Sequence, residues 1–152
     1  CVTTLRLANI IGPRVRTPMT AYYSLPVIPT VLGYDARLQF VHEVDAIESL
    51  RRCTLARTAG TYNVAGDGVL TLSQSIRKLG RPQIPLAGFL FSTVGRRIAR
   101  SGSIDFSPEQ VRFMTYGRVL DTSLYARTFD HRLAFTTSEA FDDLALHMKE
   151  AA

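Results

Sequence analysis

The alternation of apolar and polar positions divides the chain into short strands and helices. Thr3-Thr4-Leu5-Arg6-Leu7-Ala8-Asn9-Ile10-Ile11 is an apolar run rich in β-branched residues and stopped by Gly12-Pro13. It predicts a short buried strand carrying Asn9 to its C-terminal end. Thr17-Pro18 reads as an N-cap with proline at the first helical position, opening a helix through Tyr22 and Tyr23 that stops before Pro26. From Pro26 to Gly33 the prolines at 26 and 29 oppose any regular element, so this stretch reads as an apolar loop. Leu38-Gln39-Phe40-Val41-His42 alternates as a half-buried strand. Glu43-Val44-Asp45 turns it into a helix with Asp45 as N-cap, Ile47, Leu50 and Leu55 inside, and Glu48, Arg51 and Arg52 outside. Thr61-Tyr62-Asn63-Val64-Ala65 is the next strand, closed by Gly66-Asp67-Gly68. Thr71 caps a helix with Leu72, Ile76 and Leu79 in register and Gly80 just past its end. Strand, helix, strand, helix at these lengths argues for an α/β unit.

The second half is more helical. Ala87 to Arg100 fits an amphipathic helix whose basic end, Arg96-Arg97 and Arg100, suits its own C-terminus. Ser107-Pro108-Glu109-Gln110 has the residues of a helix start. Tyr116 to Asp121 reads as a turn and short strand, Ser123 to Phe129 as a short helix, and Thr136-Thr137-Ser138-Glu139 as a capping box. The last helix carries Ala140, Phe141, Leu144 and Met148 at helical spacing.

At 152 residues the chain is one domain or part of one. It opens on Cys1, two residues before a strand, as a piece of something longer would, and the neighbours of that strand are expected in sequence outside it. The net charge of +5 comes almost wholly from arginine, 16 of 18 basic residues. These are scattered and lack aromatic interleaving, which argues against a nucleic-acid surface, whereas arginine forks suit a phosphorylated small ligand. Cys1 and Cys53 are far apart, and with His42, His131 and His147 they form no metal-ligand spacing. Reduced, buried thiols fit a cytoplasmic protein. No apolar run approaches the length needed to cross a membrane.

Candidate chemistry begins at Asn9. In open α/β sheets, ligands sit in the crevice outside the carboxyl ends of the strands, where an amide offers both donors and an acceptor. Asn9 either grips a ligand there or caps the turn at Gly12. The apolar loop at 26–33 needs something to cover, and a ligand pocket is one candidate.

Three segments, Leu5-Arg6-Leu7-Ala8-Asn9-Ile10-Ile11-Gly12-Pro13, Phe40-Val41-His42-Glu43-Val44-Asp45-Ala46 and Gly60-Thr61-Tyr62-Asn63-Val64-Ala65-Gly66-Asp67-Gly68, occur in this order. Together they resemble the C-terminal half of the extended short-chain dehydrogenase/reductase family, the NAD-dependent sugar-nucleotide epimerases and dehydratases such as UDP-glucose 4-epimerase. Asp121-Thr122-Ser123 and Phe135-Thr136-Thr137-Ser138-Glu139-Ala140 resemble that family's closing segment. The resemblance implies an α/β fold: residues 1–152 as a single C-terminal substrate-binding region of an extended Rossmann-type epimerase/dehydratase, a few strands with several helices. The NAD-binding Rossmann domain, with its glycine-rich loop and Tyr-x-x-x-Lys pair, would lie outside this chain, which contains neither motif. Alone, these residues are expected to be inactive and to self-associate or dimerise through the face that met the other half.

By the same resemblance Asn9 contacts the diphosphate or sugar of a nucleotide-sugar, and Leu7 lies against the nicotinamide of NAD. Family members carry Arg-Asp at Leu38-Gln39, and that arginine holds the nucleotide phosphate. Here Arg37 is one residue away, which on a regular strand turns it to the opposite face. Either a bulge restores it, or the diphosphate is held differently, or the ligand is not a nucleotide-sugar. Gln39 stands at the family's acidic position. A second phosphate-binding arginine is expected before the Asp-x-Ser segment, with Arg112 and Arg118 as candidates. Asn63 either bonds a neighbouring loop or lines the site, and His42 is implied to be structural. The runner-up activities are a related reductase of a bulky alcohol such as a hydroxysteroid, and a non-catalytic binding module keeping the fold.

Overall fold

The computed structural model describes residues 2–90, 93 and 108–150. Along the chain the described elements are β1 (Thr3–Leu7), β2 (Asn9–Ile11), α1 (Pro18–Tyr23), β3 (Ile28–Val31), β4 (Arg37–Leu38), β5 (Phe40–His42), α2 (Glu43–Ala56), β6 (Gly60–Val64), β7 (Leu70–Thr71), α3 (Leu72–Leu79), β8 (Gln83–Leu86), α4 (Pro108–Tyr116), β9 (Gly117–Arg118), α5 (Ser123–Phe129) and α6 (Thr137–Glu150). Of the helix expected at Ala87–Arg100, residues 88–90 and 93 are helical and the others from 91 on lie outside the described residues, as do Cys1 and the Ser107 cap. The fold is mixed α/β with short, mostly parallel strand pairs. It divides into two compact units, one formed by residues up to Val15, Gln39–Val69 and Val119–Leu144, the other by Arg16–Leu38, Leu70–Arg118 and the residues from Ala145 on.

In the first unit the opening run is two strands, not one. β1 pairs in parallel with β6 from Thr3↔Gly60 to Leu7↔Val64, and Ala8 N–H reaches the Val64 carbonyl at 2.9 Å. The chain then changes partner, and β2 pairs with β5 from Asn9↔Phe40. Nor is β1 buried: Leu5 and Leu7 turn inward while Thr4 and Arg6 are exposed, because one face of the β1–β6 pair carries polar side chains. The inward face packs on a core of Val41, Ala46, Cys53, Tyr62, Val64 and Tyr125. Among the described residues β1 pairs with β6 alone, so its other edge is open.

The expected strand at 38–42 breaks at Gln39, and β5 is buried on both faces rather than alternating. His42, not Asp45, caps α2: its Nδ1 accepts the Val44 N–H at 3.3 Å. That assigns the ring proton to Nε2, which donates to Asp143 Oδ2 at 3.0 Å, while the ring stacks on Phe135. Moving the cap rotates the buried face. Asp45, Ala46, Ser49 and Cys53 point inward, while Ile47, Leu50 and Leu55 are exposed. Small and polar side chains fill this face, and Asp45 has inward partners, namely the backbone N–H groups of Ala134 and Phe135 at 2.8 and 2.9 Å. Glu48 does face outward, accepting from Arg51 and Arg52, and the Arg51 hydrogen bond leads in pulling its carboxyl down to about 2. Thr136 and Glu139 form the expected capping box of α6.

In the second unit the stretch expected as a loop at 26–33 contains β3, paired in parallel with β8, which the sequence pattern also missed. Both strands hold proline, and the register explains how. Ile28 N–H bonds the Pro82 carbonyl at 3.0 Å and Leu32 N–H the Leu86 carbonyl at 2.8 Å, so alternate residues of β3 donate and Pro29 falls between them. Pro85, opposite Thr30, likewise sits where no inter-strand N–H is needed. The Pro29 carbonyl, turned away from β8, accepts the buried Tyr22 hydroxyl at 2.6 Å. α1 starts at the Thr17 cap as expected, and Arg81 Nη1 donates to the carbonyls of Ser24 and Leu25 at its far end. Thr71 and Gln74 form the capping box of α3, and Asp35 receives the backbone N–H and hydroxyl of Ser73. In the β7–β4–β9 sheet, Gly117 (φ +74°) comes so close to β4 that a Cβ there would collide with the Arg37 backbone.

Candidate functional site

The partner change at Ala8 leaves the end of β1 and the start of β2 at a step between two strand pairs, and Leu7 and Asn9 flank it. Asn9 is half-buried, and among the described residues its amide has no hydrogen-bond partner. Leu7 packs partly on the core and also lines a groove of about 520 Å³ under the open edge of β1, with Thr3, Leu5, Leu50, Cys53 and Arg57 among its walls. Burial raises the pKa of the Cys53 thiol.

Gln39 and Asn63 join loops. The Gln39 amide donates to the Gly68 carbonyl at 3.2 Å and accepts the Leu120 N–H at 2.7 Å, using both ends of the group. Asn63 takes the loop-bonding alternative, donating to the Asp121 carbonyl at 3.0 Å.

The arginine candidates belong to the second unit. β4 pairs without a bulge, so Leu38 is buried and Arg37 exposed on the opposite face. The register sets Arg118 opposite Leu38 and Gly117 opposite Arg37. The two guanidinium groups therefore leave opposite faces of the sheet. Arg112 is exposed on α4. Tyr34 and Tyr116, exposed and in edge-to-face contact with centroids 5.4 Å apart, lie beside these positions in sequence.

A cavity of about 400 Å³ lies past the end of β6, with Asp67, Asp121, Ser123, Tyr125, His131 and Arg132 among its lining residues. The buried Tyr125 hydroxyl donates to Ser49 Oγ at 3.0 Å and lies 3.1 Å from His131 Nδ1. Burial, then the nearby positive charge of Arg52, lowers the pKa of His131, and burial raises that of Tyr125. Sequence reasoning missed this cluster because its members are joined across up to 76 residues and share no motif. Among the described residues no group of three or more His, Cys, Asp or Glu could hold a metal ion, and no helix is long and apolar enough to cross a membrane.

No protein-family model matches the sequence. An uncharacterized protein of Mycobacterium tuberculosis (strain ATCC 25618 / H37Rv) is 42% identical over 142 residues, 93% of this chain and 38% of the relative, and one from Mycobacterium bovis matches equally. The chain thus spans well under half the length of these relatives. Among solved structures, dTDP-glucose 4,6-dehydratase from Bacillus anthracis in complex with NAD matches 98% of this chain and 44% of that one, with a TM-score of 0.66 and 12% identity. A UDP-galactose 4-epimerase matches 98% of this chain and 46% of its own, with a TM-score of 0.63 and 16% identity. The Bordetella bronchiseptica enzyme WbmG in complex with NAD and UDP matches 98% and 43%, with a TM-score of 0.63 and 16% identity. At these identities the likeness is one of fold, part of the Rossmann-type architecture of epimerases and dehydratases.

Proposed function

We propose that this chain is the substrate-binding part of an NAD-dependent nucleotide-sugar epimerase or dehydratase, similar to UDP-glucose 4-epimerase and working in the cytoplasm. The observation that carries the reading is Asn9, whose amide, without a partner among the described residues, stands just past the carboxyl end of β1 where the chain changes neighbours. A neutral amide there orients a diphosphate or sugar oxygen without titrating, which suits a reaction whose proton transfers belong to other groups. The open edge of β1 and the groove beside it are where a Rossmann half outside these residues would add its strand and helix. Made alone, the chain would carry that edge bare and associate with itself through it.

NAD bound to the longer protein would supply hydride-transfer chemistry at the sugar carbinol. This chain has no glycine-rich loop to hold the dinucleotide. It does offer Leu7, an apolar side chain at the strand end that fits the flat face of a nicotinamide ring. Its remaining contribution is to hold the substrate, Asn9 in the first unit meeting the sugar-diphosphate; in the second unit, Arg37, Arg112 and Arg118 are the exposed charges available to a phosphate. Gln39 and Asn63 act by fixing the loops on either side.

A second reading, a reductase of a bulky non-sugar alcohol, rests on the buried Leu38 and the bulge-free β4, which keep Arg37 on the face opposite the usual phosphate arginine. The two readings separate in the longer protein loaded with NAD. Under the first, UDP binds and UDP-hexoses turn over, and Asn9→Ala weakens UDP binding by about tenfold or more, the loss of one hydrogen bond to a charged oxygen. Failure to bind UDP, or an Asn9→Ala variant that binds it unchanged, overturns the first reading.

A further inference from the structure

The cavity past β6 has chemistry that the nucleotide-sugar reading leaves unused. Its hydrogen-bond polarity follows from Tyr125. The Tyr125 hydroxyl hydrogen goes to Ser49, so only its oxygen lone pair faces His131, and Nδ1 of His131 must carry the ring proton. Nε2 is then a bare acceptor, with no partner among the described residues. The low proton affinity of this ring keeps that nitrogen unprotonated at neutral pH.

The other polar walls carry both charges. The Asp67 carboxylate and the Arg132 guanidinium line the cavity, and neither has a side-chain partner among the described residues. Asp121 uses Oδ1 to receive the Ser123 N–H at 2.9 Å. Val64, Ala65, Ala126 and Leu133 supply an apolar wall. A simple anion entering here would meet two carboxylates and the lone pair of His131. A simple cation would meet Arg132. A ligand bearing both charges satisfies all four groups, and a volume of about 400 Å³ suits a small molecule.

We propose that this cavity binds a small zwitterion of the α-amino-acid class, its ammonium group received by Asp67, Asp121 and Nε2 of His131 and its carboxylate by the Arg132 fork. The ammonium has three hydrogens for three acceptors, and the guanidinium presents paired donors to a planar carboxylate. The pairing of charges, rather than either alone, sets the specificity.

The test is an NMR titration of the longer protein labelled with ¹⁵N-histidine, using L-alanine as the probe and acetate and methylammonium as single-charge controls. The free protein should show His131 protonated on Nδ1. L-alanine should shift the Nε2 signal saturably, and neither control should do so. Arg132→Ala and Asp67→Asn should each weaken the response by about tenfold or more, losing one charge-assisted contact each. Both side chains are exposed, so folding should survive, and an unchanged Nδ1–H signal in each variant confirms it. No saturable shift up to the solubility limit of L-alanine overturns the proposal. So does an equal response to acetate, which marks a plain anion site, or a response that survives both substitutions.

Discussion

Asp45 is the residue whose replacement most sharply separates two physical accounts of this fold. As a helix cap, Asp45 would tolerate asparagine, since Asn and Asp cap about equally well, and alanine would cost about 1 kcal/mol. In the structure it is 2% exposed, and its two oxygens separately receive the N–H groups of Ala134 and Phe135. Hydrogen bonds to a charged group contribute about 1.5–3 kcal/mol each, so Asp45→Ala should lose about 3–6 kcal/mol and strand two N–H groups. Asparagine keeps one acceptor but turns an NH₂ toward the other N–H. Asp45→Asn should therefore lose about 2–3 kcal/mol. Against a total stability of about 5–15 kcal/mol, a loss of that size approaches complete unfolding, which makes asparagine the informative variant. Urea denaturation of the longer protein should show the Asn midpoint lowered by about 1 M with an unchanged slope. An Asn variant within about 0.5 kcal/mol of the native protein would refute the anchoring account and restore the cap.

Two further outcomes follow from single contacts. Tyr22→Phe leaves the Pro29 carbonyl without its donor in the core of the second unit and should cost about 1–3 kcal/mol in denaturant, with no loss of secondary structure by circular dichroism; an unchanged midpoint would show that another donor replaces the phenol. His131 has a folded pKa below its ordinary 6.5, so the unfolded chain takes up the proton first as pH falls through that value. Stability is full above about pH 6.5 and declines below it toward the lowered folded value. His131→Gln should flatten that part of the stability–pH curve, and an identical slope in variant and native protein would contradict it.

The helix boundaries at Thr17, Thr71 and Thr136 were legible because capping is local chemistry, settled within three or four residues. What was illegible was set by neighbours distant in sequence. Pro29 reads as a strand breaker until the register shows that its missing N–H falls between the bonded positions. Ile47 and Leu50 read as an inner face because hydrophobicity alone assigns the inside, whereas Asp45 is drawn inward by N–H groups some 90 residues away. At the candidate site, Asn9 stood out as a polar residue ending an apolar run. The roles of Gln39 and Asn63 did not, because an amide that joins loops and one that touches a ligand look the same in sequence. The Ser49–Tyr125–His131 cluster had no local signal at all.

The pairing of β1 with β6 also bears on how the protein is made. Thr3 stands in register with Gly60, 57 residues later, and at about 5–20 residues per second a ribosome needs about 3–11 s to supply that partner. Throughout that interval a strand carrying Leu5 and Leu7 has no partner on the β6 side. Any strand that reaches its other edge earlier in synthesis would therefore act as a template, holding β1 extended and shielded until β6 emerges. Lengthening the chain between β2 and β6 should then reduce the yield of soluble protein more than its equilibrium stability.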